Sequence, residues 1–381
     1  MSVTAPKGFV AGGVACGIRK AAPDLAVVST VGAGTGAAMF TANRVKAAPV
    51  LVSQEHLAVT EPQAVVINSG TANAATGEQG LRDARGMAAG AAGLLALEPE
   101  QVLVLSTGVI GAPLPLDKVQ AGLAAIELGP QGGAAAAEAI LTTDSGPKTA
   151  SVGAGGFVVG GMAKGAGMIH PCLATMLAVV TTDYPLEPGE AIEFLRPAVD
   201  ESFNRISVDG ECSTNDTVVL LASGASGSAR DDAAFAQALR DVCSSLAAQI
   251  VSDGEGATVV LEIAVTGAAS DPEATAIARR IATSPLVKTA AFGRDANWGR
   301  VLSAAGSAPF NGGFAHIDPD RATLAFNGTT VYAGGPVGVE PALDGAVCRI
   351  ELDLGLGSGA DGYLASDLTY DYVRINAEYR T

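Results

Sequence analysis

Apolar and polar positions along this chain follow two periods. Short apolar or alternating β-prone runs predict strands over 25–28, 64–67, 102–105, 157–163, 176–180, 217–221, 258–265 and 286–292. Cys348, Ile350, Leu352 and Leu354 alternate with Arg349, Glu351 and Asp353, which predicts a strand with one wet face. Helical spacing predicts helices over 81–97, 116–127, 134–141, 190–204 with an interruption at Pro197, 231–252 and 271–281. The clearest is 231–252, where Phe235, Leu239, Val242, Leu246 and Ile250 fall on one stripe behind an acidic start. Asn327-Gly328 between two β-prone runs predicts a hairpin with a type I′ turn. The last stretch, 372–381, stays β-prone to the final residue. The pattern by itself supports mixed α and β structure and no more.

Composition narrows the classes of function. The chain has 381 residues, enough for a sizeable core and more than one domain. A net charge of −16 argues against a surface built to neutralise phosphates, so nucleic acid is not an expected partner. No apolar run reaches the ~18 residues of a membrane helix, and the N-terminus lacks a charged start followed by a hydrophobic segment. A cytoplasmic location is expected, with no membrane association. Cys16, Cys172, Cys212, Cys243 and Cys348 are scattered without paired spacing, which suggests neither a disulfide framework nor a metal site. The glycines at 32, 34 and 36 do not match a dinucleotide fingerprint, and Ile18 stands where a phosphate loop needs lysine.

Candidate chemistry lies at the junctions between runs. Lys164-Gly-Ala-Gly-Met168 is a glycine-rich turn that leads through Pro171-Cys-Leu-Ala-Thr-Met-Leu177 into an apolar strand. Thr175 reads either as an ordinary strand threonine or, if the Ala174–Thr175 bond breaks, as a nucleophile whose own α-amine is its base. Ser106-Thr-Gly-Val-Ile-Gly111 ends a strand, and a hydroxyl beside a flexible N–H suits an oxyanion, though the residues alone favour a plain strand-to-turn junction. Glu255 sits between Gly254 and Gly256, either in a helix C-cap turn or close to a ligand. Lys164 reads as a carboxylate holder or as a solvated loop lysine. The run 205–216 crowds small hydroxyls, amides and acids together.

These motifs resemble those of the ornithine acetyltransferases, the bifunctional enzymes of arginine biosynthesis. The resemblance extends over 8–381 and includes Thr142-Thr-Asp144 with Pro147-Lys148, Ser213-Thr-Asn-Asp-Thr217, Asp253-Gly-Glu-Gly256 and Asp295-Ala-Asn-Trp-Gly-Arg300. It implies an α/β (mixed α+β) fold of stacked β-sheets flanked by helices, as in the ornithine acetyltransferase and DmpA-like fold, with a smaller α/β part in the C-terminal segment. It also implies self-cleavage between Ala174 and Thr175 into an α segment, 1–174, and a β segment, 175–381, with a smaller subdomain at about 270–365. Thr175 is then the nucleophile, Thr107 and Gly108 form the oxyanion hole, and Thr142, Lys164, Thr175, Glu255, Asn376 and Thr381 bind substrate. The implied reaction carries acetyl from N-acetylornithine to glutamate through an acetyl-threonine, without metal or redox cofactor. Acetyl-CoA stays open as a co-substrate, and the expected assembly is a heterotetramer of two α and two β segments. The rival expectations are an N-terminal-nucleophile amidohydrolase or aminopeptidase and a non-enzymatic metabolite-binding protein.

Overall fold

The computed structural model describes residues 2–20, 22–170 and 176–378. Three main sheets carry the architecture. The first runs in the order Phe9–Val14, Leu25–Thr30, Ala64–Thr71, Val102–Val109, with only the last pair parallel. The second runs Thr35–Phe40, Thr217–Ala222, Leu177–Thr182, Phe157–Lys164, Lys148–Ala154, and its one parallel pair joins Thr217–Ala222 to Leu177–Thr182.

Period-two alternation in these strands dictates how the sheets stack. Val28, Val65, Ile67, Leu103 and Leu105 of the first sheet meet Met162, Leu177, Val179, Val219 and Leu221 of the second in one core, so the two sheets lie face to face. Intervening residues point the other way. Val27, Val66, Val102 and Val104 pack under the helices Ala48–Leu57, Gly77–Leu95 and Leu116–Ala125. Val159, Ala178, Val180, Val218 and Leu220 pack under Ala191–Asp200 and Asp232–Ser252. The result is helix, sheet, sheet, helix, the expected stack of flanked sheets.

A third sheet runs Thr329–Ala333, Thr323–Phe326, Val347–Asp353, Val260–Ala268, Gly359–Ser366, Ile206–Ser207. With the helices Asp271–Ala282, Pro285–Phe292 and Trp298–Gly306 it encloses its own core, from Val259 to Ala365.

Three expectations change. The run 286–292 is a helix, Pro285–Phe292, because Ser284 accepts the Val287 N–H as N-cap and Pro285 starts the first turn. The β-prone ending is a helix, Tyr370–Glu378, begun by Thr369, whose hydroxyl accepts the Tyr372 N–H at 3.1 Å. Arg374 pairs with both Asp371 and Glu378 along that helix. The helix Ala191–Asp200 passes through Pro197 unbroken, because the carbonyl deprived of its bond belongs to exposed Glu193, where water can serve it.

Candidate active site

A cavity of about 110 Å³ opens where the first two sheets, the 205–216 run and the C-terminal helix meet. Thr107, Gly108, Thr142, Lys164, Glu255 and Asn376 all line it. Ala174, Thr175 and Thr381 lie outside the described residues.

Thr107 and Gly108 sit near the end of Val102–Val109, where the register against Ala64–Thr71 slips at Gly70 and Thr71. Gly108 has φ +131°, and a Cβ there would lie 2.3 Å from the Gly70 carbonyl carbon. Only glycine lets the two backbones approach this closely. Asn215 fixes this strand end, donating to the Ser106 carbonyl at 2.9 Å and to the Ala72 carbonyl at 2.7 Å.

Lys164 ends the strand Phe157–Lys164 and is 2 % exposed, so it is a buried cation and not a solvated loop lysine. Its ammonium donates to Thr107 Oγ1 at 3.3 Å and stands 4.0 Å from Asp144 Oδ2. Burial pulls its pKa below the ordinary lysine value, and Asp144 opposes that shift.

Asp144 organises the opposite side. It accepts the Thr142 N–H at 3.0 Å and the Gly165 N–H at 2.6 Å, and pairs with Lys148 at 2.7 Å. Burial works against its charge, but the ammonium groups of Lys164 and Lys148, with the Gly165 N–H, outweigh it and hold the carboxyl below the usual range. Lys148 also reaches Asp253 at 2.5 Å, so the threonine motif and the Glu255 turn are bound to one cation.

Glu255 follows the C-cap of Asp232–Ser252 in a turn that also brings it to the cavity. Its N–H donates to the Ala166 carbonyl at 2.8 Å, and its Oε2 accepts the Asn376 amide at 2.8 Å. Gly167 lies against it, and a Cβ there would fall 2.5 Å from the carboxylate.

Sequence reasoning assigned no role to Asp144, Asp209 or Tyr372. Asp144 and Lys148 lie four residues apart, but the stretch between them is a non-helical turn through Gly146 and Pro147, so their spacing gave no signal for the ion pair they make. Asp209 and Tyr372 carried none, being 163 positions apart. Two of the three histidines make contacts within the fold: His56 is bonded to the Val102 carbonyl and His170 to Ser207, and burial holds His170 down at about 4.

A model described as the ArgJ family matches residues 10–381. "Arginine biosynthesis bifunctional protein ArgJ" of Thermobifida fusca is 47% identical over 388 residues and covers both chains completely. The protein of the same description from Streptomyces coelicolor is 47% identical over 386 residues, again over the whole of both chains. A crystal structure of ornithine acetyltransferase complexed with ornithine, from Mycobacterium tuberculosis, is 44% identical, covers 45% of this chain and 94% of that one, and has a TM-score of 0.41. On the full-length matches, this chain belongs to the ArgJ family.

Proposed function

We propose that this chain is an acetyltransferase of arginine biosynthesis that moves acetyl from N2-acetylornithine to glutamate, releasing ornithine and N-acetylglutamate. One observation carries the reading. Six residues from five separate parts of the sequence, Thr107 with Gly108, Thr142, Lys164, Glu255 and Asn376, meet at one small cavity. The strand Leu177–Thr182, which begins two residues after Thr175, pairs with the Lys164 strand.

The chemistry follows from the side chains. Thr175, freed by self-cleavage after Ala174, attacks the acetyl carbonyl while its α-amine takes the hydroxyl proton. The C–N bond to ornithine breaks, the leaving amine takes that proton, and an acetyl ester stays on Thr175. The amine of glutamate then attacks the ester, and the threonine oxygen recovers a proton. Thr107, whose oxygen already accepts from Lys164, has its own proton free to point at a developing oxyanion beside the Gly108 N–H. Lys164 holds a substrate carboxylate and Glu255 a substrate amine, with Thr142, Asn376 and Thr381 completing the contacts. The reaction needs no metal and no redox cofactor, and acetyl-CoA would serve as a second donor. Segments 1–174 and 175–381 stay together and pair into a heterotetramer in the cytoplasm.

The test is transfer of labelled acetyl from N-acetylornithine, with denaturing mass spectrometry alongside. Labelled N-acetylglutamate and two segments are expected from the native chain, and one full-length, inactive polypeptide from Thr175→Ala. Cleaved protein from that variant would overturn the nucleophile. Label released only as free acetate would favour an amidohydrolase, and acetylation of glutamate with acetyl-CoA as sole donor decides the second activity.

A further inference from the structure

The helix Tyr370–Glu378 buries none of its described residues, yet Tyr372 and Asn376 line the cavity. Hydrophobic burial therefore does not hold it there, and polar contacts do. Thr369 Oγ1 donates to the Gly256 carbonyl at 2.8 Å, Tyr372 donates to Asp209 Oδ2 at 3.3 Å, and Asn376 donates to Glu255 at 2.8 Å. Away from the cavity, Phe292 and Tyr370 meet edge to face at 5.5 Å.

Asp209 is the point where this helix joins the rest of the site. Besides Tyr372, its Oδ2 accepts the Met168 N–H at 2.6 Å, and its Oδ1 accepts the Ile169 N–H at 2.9 Å and the Glu211 N–H at 3.2 Å. One buried-side carboxylate thus binds the turn after Lys164, its own loop and the C-terminal helix. Met168 has φ +56°, a left-handed conformation that a side chain adopts at a cost, and Asp209 accepts the N–H of that same residue. Gly167 and Met168 form the cavity wall against which the Glu255 carboxylate rests.

We propose that Asp209 and Tyr372 are positioning residues that couple the C-terminal helix to the Gly167–Met168 wall, so that Glu255 and Asn376 grip an amino-acid substrate only while this link is made. The inference rests on the reading that the cavity takes amino-acid substrates. Neither residue touches the reacting atoms. Their effect is on how well the cavity is closed around what it holds, which is a binding effect and not a chemical one.

Tyr372→Phe keeps the ring and removes only the donor. Its KM for N-acetylornithine and for glutamate should rise about tenfold with kcat within about twofold, the scale of one lost hydrogen bond to a charged acceptor. Amide exchange over 370–378 should speed up about tenfold without substrate, and ornithine, expected to slow it in the native enzyme, should no longer do so. Asp209→Asn should do both more strongly, and Val373→Ala, on the exposed side of the helix, neither. Unchanged KM values and unchanged exchange in Tyr372→Phe would overturn the proposal. Faster exchange with native KM values would overturn the coupling. The substrate-free exchange does not depend on the reaction, so a native enzyme that transfers no acetyl would sink the proposed function and leave the link itself tested.

Discussion

Among the described residues, Asp216 has the one buried side-chain oxygen without a hydrogen-bond partner, Oδ2, while its Oδ1 accepts the Met176 N–H at 3.1 Å. Burial raises its pKa well above the ordinary value, against the N–H of Met176, the ammonium of Lys164 and the nearby hydroxyls of Ser213 and Thr41. The folded chain therefore keeps a proton that the unfolded chain gives up near pH 4. Between that pH and the folded-state value the native state binds more protons, so stability falls as pH rises, by no more than about 1.4 kcal/mol per unit. Asp216→Asn keeps an acceptor for Met176 and cannot titrate. Denaturant melts at pH 5 and 7.5 should show the variant losing less stability than the native chain over that interval. Parallel losses in the two proteins would mean that Asp216 is ionised in the fold.

Gly108 shows how an element shapes chemistry. Alanine there meets both a left-handed penalty of roughly 1–2 kcal/mol and the Gly70 backbone, so the paired strands must part at Thr107–Gly108, the proposed oxyanion donors. Gly111 has φ +82° but open space around its Cβ position. Gly108→Ala should cut acetyl transfer at least about 100-fold, the scale of a lost oxyanion donor, and lower the melting temperature, while Gly111→Ala should mainly lower the melting temperature. Equal loss of activity in both would remove the argument from close approach. The same scale explains what the sequence pattern could and could not say. Asp231 caps its helix through the Ala234 N–H, 347–353 alternates wet and buried, and Asn327 and Gly328 have φ +49° and +78°, the conformations their turn requires, because in each case the signal is local. The helices at 285 and 370 were hidden because β-prone residues, Val287, Thr289 and Phe292 in one and Tyr370, Tyr372, Val373 and Ile375 in the other, recur through them and their caps, Ser284 and Thr369, lie just outside the run. Tyr372 was unreadable for another reason: its significance comes from Asp209, across the fold, and from a helical pitch that puts it beside Asn376.

At the scale of the whole molecule, charge and site pull in different directions. The chain carries −16, while Lys164 is the single cation among the described residues lining the cavity, which Asp209, Glu211 and Glu255 also line. The two proposed substrates feel this field differently. Glutamate carries a net negative charge near neutral pH, whereas in N-acetylornithine the carboxylate and side-chain ammonium cancel. The repulsion of glutamate is long-ranged and passes through solvent, so salt screens it. Lys164 acts at contact, buried and with Asp144 4.0 Å away, so its attraction is screened much less. Raising ionic strength from about 10 to about 150 mM should then lower KM for glutamate roughly two- to fivefold and leave KM for N-acetylornithine nearly unchanged. Initial rates across a potassium chloride series, with the other substrate saturating, measure both. A glutamate KM that is flat or rises with salt would mean that the local cation, and not the acidic surface, governs the approach of the acetyl acceptor.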